Sequence, residues 1–312
     1  MTTKKSATGK SPLRKTITSK IIGLGEILWD LLPTGAQLGG APGNFAYHAR
    51  ALGAEAGIVT RVGDDAMGRD ILARLAAMQL PLDLVQIDAT APTGTVTVKL
   101  NAAGVPDFTI HEGVAWDRLE LTAAARRAVQ AADAVCFGSL AQRAEPSRST
   151  ILDLVRQAPA KALRIFDVNL RQHYFSREVI ERSLQLANVA KLNDTELPVL
   201  AEMFGLPGDT RAQIAALAAR FDLRVVALTL GARGSLLYRG GQWSECHPRP
   251  VTIVDTVGAG DAFTAAMAHG FLRGMELDEV NCAAGEVARH VCACAGATPS
   301  LPEALARLFS SR

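Results

Sequence analysis

The chain has 312 residues, 48% apolar and 21% charged, enough to bury one large α/β core or two smaller ones. A net charge of +2 gives no electrostatic case for a nucleic-acid binder, and no apolar run approaches the ~20 residues of a membrane helix. The five cysteines (Cys136, Cys246, Cys282, Cys292 and Cys294) contain no CxxC pair. They read as reduced thiols packed as small apolar groups, which points to a reducing, cytoplasmic compartment.

Along the chain, residues 1–20 carry six basic side chains (Lys4, Lys5, Lys10, Arg14, Lys15 and Lys20) and no acid. Without an apolar h-region or amphipathic pattern, residues 1–19 read as a disordered basic tail, with a targeting segment as the alternative. "IIGLGEILWDLL" (21–32) predicts a buried strand running into a sheet edge. A helix over 44–54 ends in Gly53, a strand follows over 55–63, and Pro81 stops a helix over 65–80. Segments 93–100 and 107–113 alternate as strands around a "NAAGVP" turn. Helices at 121–131, 146–158, 176–187, 194–204 and 210–221 then alternate with strands at 134–140, 163–169, 188–192 and 224–230. A hairpin over 235–246 precedes helices at 261–273, 278–295 and 302–310.

This rhythm predicts an α/β fold: a mostly parallel central sheet with helices on both faces, in one domain over 20–312. Ligands are expected beyond the carboxyl ends of its strands. The segment at 93–113 breaks the rhythm and predicts a small β-strand lid, paired with the chain at 28–38. Its exposed edges invite pairing with a second copy, so a homodimer through the lid strands is expected.

Glycine loops carry the chemistry. "GLGEIL" (23–28) lacks the third glycine of a dinucleotide fingerprint, because Leu28 stands there, and no Walker A sequence occurs. "DTVGAGDAF" (255–263) is more informative. Gly258, Ala259 and Gly260 let backbone N–H groups approach a ligand where a helix begins, and a helix N-terminus favours anions. Such a turn can hold the charge of a phosphoryl group in flight. Asp261, in the first helical turn, can take a proton from an attacking hydroxyl. Asp255 either organises the loop or binds a cation. Taken alone, the two aspartates also read as helix caps around a plain glycine turn.

With its neighbours, "DTVGAGDAF" resembles the C-terminal signature of the ribokinase-like (PfkB) carbohydrate kinases. "GGAPGNFAYHARALGAEAGIVTRVGDDAMGRDIL" (39–72) resembles their N-terminal signature, and the similarity runs from about residue 20 to the end. The resemblance implies an ATP-dependent sugar kinase with Mg²⁺ as cofactor. Asp261 would be the base, with Gly258, Ala259 and Gly260 forming the anion hole. Asp30, Gly40 and Asn44 match the positions that bind sugar hydroxyls. In "KLNDTEL" (191–197), Asn193 and Glu196 match the pair that positions Mg²⁺ and phosphates through water. Thr229, Gly231 and Gly234 match the nucleotide loop. Asp255, Gly296 and Ser300 match positions that help bind a monovalent cation, potassium, in some members.

Within the family, "GSLAQR" (138–143) and "FDVNLRQHYFS" (166–176) resemble bacterial fructokinase-like members. Gln142, Asn169 and Arg171 would then contact the sugar, Arg171 supplying a fixed cation. Ala144 stands where ribokinases carry a glutamate. 2-Keto-3-deoxygluconate kinases tend to carry tyrosine and arginine in the second lid strand, whereas "DFTIHEGVAWD" (107–117) has Phe108 and His111 and no arginine. D-Fructose is therefore the leading acceptor. The keto acid, another sugar of the family, and a non-catalytic sugar- or nucleotide-binding protein are the alternatives.

Overall fold

The computed structural model describes residues 18–100 and 106–310. Most of the basic tail and the "NAAGVP" turn lie outside them. In chain order the elements are β1 (Lys20–Leu24), β2 (Leu28–Leu32), β3 (Gly35–Gly39), α1 (Ala41–Ala51), β4 (Glu55–Gly63), α2 (Ala66–Ala77), β5 (Val85–Asp88), β6 (Thr95–Leu100), β7 (Pro106–Ile110) and α3 (Ala123–Gln130). There follow β8 (Ala134–Phe137), α4 (Ser147–Gln157), β9 (Leu163–Asp167), α5 (Arg177–Leu186), β10 (Val189–Asn193), α6 (Glu196–Phe204), α7 (Thr210–Phe221) and β11 (Val225–Thr229). Last come β12 (Ser235–Arg239), β13 (Gln242–Cys246), α8 (Ala259–Leu272), α9 (Leu277–Cys292) and α10 (Glu303–Arg307).

The large sheet has nine strands in the order β13-β12-β11-β10-β9-β8-β1-β4-β5. From β11 to β5 every neighbouring pair is parallel, and the β12–β13 hairpin adds an antiparallel edge. The chain moves one way from β1, through β4 to β5, and the other way from β8 onward. The order therefore reverses between β1 and β8, and an open α/β sheet forms its ligand crevice at such a point, outside the carboxyl ends.

Strand alternation sorts the core into two layers. Val135 and Phe137 of β8 face a cluster with Ile151, Leu154, Leu184 and Leu200 from α4, α5 and α6. Ala134 and Cys136 face the opposite cluster, with Phe45, Ala265, Met267 and Val287 from α1, α8 and α9. The buried strands are nearly continuous apolar runs, as expected when both faces are covered. Local caps set the helix starts: Asp65, Thr122, Ser176 and Asp209 each accept a backbone N–H from the first turn of α2, α3, α5 and α7.

The four-stranded second sheet, in the order β3-β2-β6-β7, mixes antiparallel β2–β3 and β6–β7 pairs with a parallel β2–β6 pair. The pairing of the chain near 28–38 with the segment after 93 is thus present. The single strand expected over 21–32 is two. Gly25 (φ 139°) breaks it, and the chain leaves the large sheet to join the small one. The strand expected over 134–140 stops at Phe137, before a short 3₁₀ turn at 140–142. Strand β5, a short stretch between two prolines, was not anticipated.

Candidate active site

A cleft of about 1140 Å³ runs between the carboxyl ends of the large sheet and one face of the small sheet. Alternate residues of the small sheet line it: Leu28, Asp30 and Leu32 from β2, Val96 and Val98 from β6, and Phe108 and Ile110 from β7. This is the two-residue period of a pleated strand presenting one face. Helices α1 and α8 aim their N-termini at the cleft, preceded by Gly40 (φ 106°) and Gly258 (φ 78°). Both conformations exclude ordinary side chains. A Cβ on Gly40 would also lie 2.5 Å from the Glu26 carbonyl oxygen, and one on Gly258 2.6 Å from that of Ala297.

Asn44 in α1 donates from Nδ2 to Oδ2 of Asp261 in α8 at 2.8 Å, so the two signatures, far apart in sequence, meet at one hydrogen bond. Both helices contribute small residues (Ala46, Ala49, Ala262, Ala265 and Ala266) to the same core cluster, which suits a close approach. Asp261 follows directly on the Gly258–Gly260 turn. Burial, with Asp167 nearby, pushes its carboxyl up to about 6, opposed by the Asn44 hydrogen bond. Asp30 is likewise pushed up to about 6 by burial, opposed by Arg171. Arg171 is exposed in the cleft, donates to Leu170 O at 3.0 Å, and lies within electrostatic reach of both aspartates.

Asp30, Gly40, Asn44, Asn169, Arg171, Asn193, Thr229, Gly231, Gly234, Gly258, Ala259, Gly260 and Asp261 all line this one cleft. The other five expected residues, Gln142, Glu196, Asp255, Gly296 and Ser300, do not line it. Gln142 is fully buried, donates to Gly138 O (2.8 Å) and Ser183 Oγ (2.9 Å), and does not line the cleft. The 3₁₀ turn that follows β8 rotates its amide into the α5 side of the core. Glu196 also sits behind the wall. Its two oxygens accept from Leu170 N and Asn193 N, both at 2.9 Å, so it fixes the backbone that presents Asn169 and Asn193. Asp255 and Gly296 come together outside the cleft, where Asp255 accepts from Val257 N (3.0 Å) and Gly296 N (3.1 Å). Ser300 is outside the cleft too, and its carbonyl takes the His290 ring at 2.9 Å.

Residues 34–304 match the pfkB family carbohydrate kinases. The chain belongs to that family. A fructokinase of Klebsiella pneumoniae is 35% identical to this kinase over 267 residues, covering 81% of this chain and 85% of the relative. A sugar kinase of Pyrococcus horikoshii, solved in complex with ATP, superposes with a TM-score of 0.76 at 27% identity, covering 93% of this chain and all of that one. A fructokinase of Vibrio cholerae, solved with fructose, ADP and calcium, superposes with a TM-score of 0.76 at 25% identity, covering 94% and 99%. The chain is therefore a carbohydrate kinase, a phosphotransferase of the ribokinase fold.

Two cleft residues of this kinase, Lys191 and Glu26, escaped the sequence reading. Lys191 and Asp167 are register partners on β10 and β9, joined at 3.1 Å with both side chains buried. Burial opposes the Lys191 charge, yet Asp167, Glu196 and Asp261 outweigh it and raise the ammonium. A Cβ on Gly260 would lie 2.9 Å from Lys191 Nζ, so a fixed cation sits directly beneath the glycine turn. Thr264 Oγ1 donates to the other Asp167 oxygen at 3.0 Å, which ties α8 to this pair. Glu26, just past the end of β1, lines the cleft while only 2% exposed. A lysine or glutamate within an apolar run gives no periodic signal of its own; only strand register reveals its partner.

Proposed function

We propose that this carbohydrate kinase transfers the γ-phosphoryl group of Mg-ATP to a primary hydroxyl of D-fructose. The observation that carries this is the Asn44–Asp261 contact. It sets one oxygen of the Asp261 carboxylate at the boundary between the Asp30–Gly40–Asn44 wall and the glycine turn. Asn44 orients the carboxylate, Asp261 takes the hydroxyl proton, and the turn over Lys191 receives the negative charge of the moving phosphoryl group. The far end of the cleft suits a nucleotide: Ala232, Cys246, Pro248, Val251, Ile253 and Ala288 offer apolar surface for a base.

The residues present fit a magnesium ion brought in by ATP. Among the described residues no group of three or more His, Cys, Asp or Glu could hold a metal, and magnesium keeps several waters and takes its ligands from substrate phosphates. Asn193 would face its water shell, with Glu196 holding the loop behind. When bound, the ion would neutralise phosphate charge; the proton step belongs to Asp261. The small sheet acts as a lid over the sugar, and closing it would keep water from competing as acceptor.

A second reading rests on Arg171. It is a cleft cation that forms no carboxylate ion pair among the described residues, and it would accept an acidic sugar such as 2-keto-3-deoxygluconate. An ADP-release assay over fructose, ribose, 2-keto-3-deoxygluconate, fructose 6-phosphate, tagatose and adenosine decides between them. Turnover of the keto acid without fructose would reverse the order, and ATP binding without turnover of any sugar would leave only the binding-protein reading. Potassium would act at the Asp255–Gly296 loop; equal rates in potassium and choline would remove it. The lid edges β3 and β7 would pair two copies. Light scattering at micromolar concentration would return a monomer if that is wrong. Among the described residues no helix is long and apolar enough to cross a membrane.

A further inference from the structure

We propose that Glu26 is a substrate-binding residue whose Oε2 takes a sugar hydroxyl as the hydrogen-bond partner that the protein does not supply. The inference rests on the sugar-kinase reading but on no particular sugar.

Buried polar atoms are nearly always paired, and one left alone costs stability unless a ligand satisfies it. Several buried side chains hold a polar atom without a partner, and Glu26, through Oε2, is the one among the described residues that also lines the cleft. Its place in the fold is where a ligand belongs. It follows β1 at the reversal of strand order, next to the N-terminus of α1, and its carbonyl oxygen is packed against Gly40. Asn44, Arg171 and Asp261 line the same cleft.

The electrostatics agree with a hydroxyl as partner. Burial pushes the Glu26 carboxyl up to about 7, opposed by the backbone N–H groups of Glu26 and Ala41 and by Arg171, with Asp261 adding to the rise. Near neutral pH it is therefore present both ionised and protonated. A hydroxyl donates to the first form and accepts from the second, so it suits both. A cationic or apolar group would suit neither mixture as well. Glu26 and Asp261 are thus two buried carboxyls with separate tasks, one holding the sugar and the other removing its proton.

The test compares wild type, Glu26→Gln and Glu26→Ala with the best sugar of the panel and its monodeoxy analogues. Sugar KM, ATP KM and thermal melts with and without sugar are measured. For Glu26→Ala the expected result is a sugar KM raised roughly tenfold or more with ATP KM unchanged. One deoxy analogue, penalised in wild type, should lose that penalty in Glu26→Ala, while the others keep theirs. Glu26→Gln should melt no lower than wild type without sugar and gain less from sugar, because its amide oxygen can keep the contacts to the Glu26 and Ala41 N–H groups while the buried charge is lost. If Glu26→Ala folds poorly, the same loss of one deoxy penalty is read in Glu26→Met, which fills the space without a strong hydrogen-bonding group. Unchanged penalties for every analogue, or a lower sugar-free melting temperature with unchanged sugar KM, would overturn the assignment. A wild-type protein inactive on all sugars would remove both this and the reading beneath it; active wild type with unmoved Glu26 variants would remove this alone.

Discussion

Replacing Asp261 by Asn separates its chemistry from its shape. The amide oxygen can still accept from Asn44, which reaches the carboxylate at 2.8 Å, so the α1–α8 contact is kept. The lost base should lower kcat by roughly 10²–10⁴-fold, or about 2.7–5.4 kcal/mol of barrier. The variant should also be more stable at alkaline pH. Asp261 rises from 3.8 to about 6 on folding, so the folded chain holds this proton more tightly than the unfolded one. The sign follows: below about pH 4 the group is protonated in both states and contributes nothing adverse, and above about 6 its buried charge destabilises the fold. At 1.36 kcal/mol per pH unit the full effect is about 3 kcal/mol. The carboxyl's partial opening to the cleft reduces that to about 1–2 kcal/mol. Two assays check this: coupled ADP release as a function of pH, and thermal melts at pH 4 and pH 8. Wild-type kcat/KM should fall as pH drops below about 6. Asp261→Asn should lose its own share of that fall while Asp30 and Glu26 keep theirs. Turnover within tenfold of wild type, or a variant no more stable than wild type at pH 8, would refute the reasoning.

Gly258→Ala should lose activity and about 1–3 kcal/mol of stability, because its positive φ and the close Ala297 carbonyl leave no room for a Cβ; chemical denaturation and the kinase assay read both. Lys191→Met should destabilise by about 3–5 kcal/mol at neutral pH by leaving Asp167 buried without its cation; urea denaturation at pH 7 and pH 4 should show a smaller difference at the lower pH. Gln142→Leu should leave sugar KM within about twofold and lower stability by about 1–3 kcal/mol, since Gly138 and Ser183 lose their partner; a raised sugar KM would restore Gln142 to the site.

The central sheet was legible because its strands are short apolar runs separated by amphipathic helices, a pattern that leaves few topologies. The glycine turn and Asp261 were legible as a cleft-lining helix start because the positive φ of Gly258 and the close Ala297 carbonyl limit the side chains allowed there. What was hidden depended on register and on small rotations. Lys191 meets Asp167 only because β10 lies beside β9 with those residues opposite. Gln142 has the right chemistry for a sugar contact, but a single 3₁₀ turn after β8 carries it into the core. Glu26 sat within a motif weighed for nucleotide binding and set aside for its missing glycine, although its carboxyl is what reaches the cleft.

The small sheet's first hairpin begins and ends at one point. Strand β2 leaves just after Glu26, and β3 returns to Gly40, whose backbone lies against the carbonyl oxygen of Glu26. Both ends of the excursion are thus clamped to the same spot on the scaffold. A hairpin of another length or lining can be transplanted there without asking the main sheet to shift, because the distance to be bridged stays fixed. On the proposed function, acceptor range would be re-engineered in this hairpin as an interchangeable cassette, leaving the glycine turn at α8 untouched.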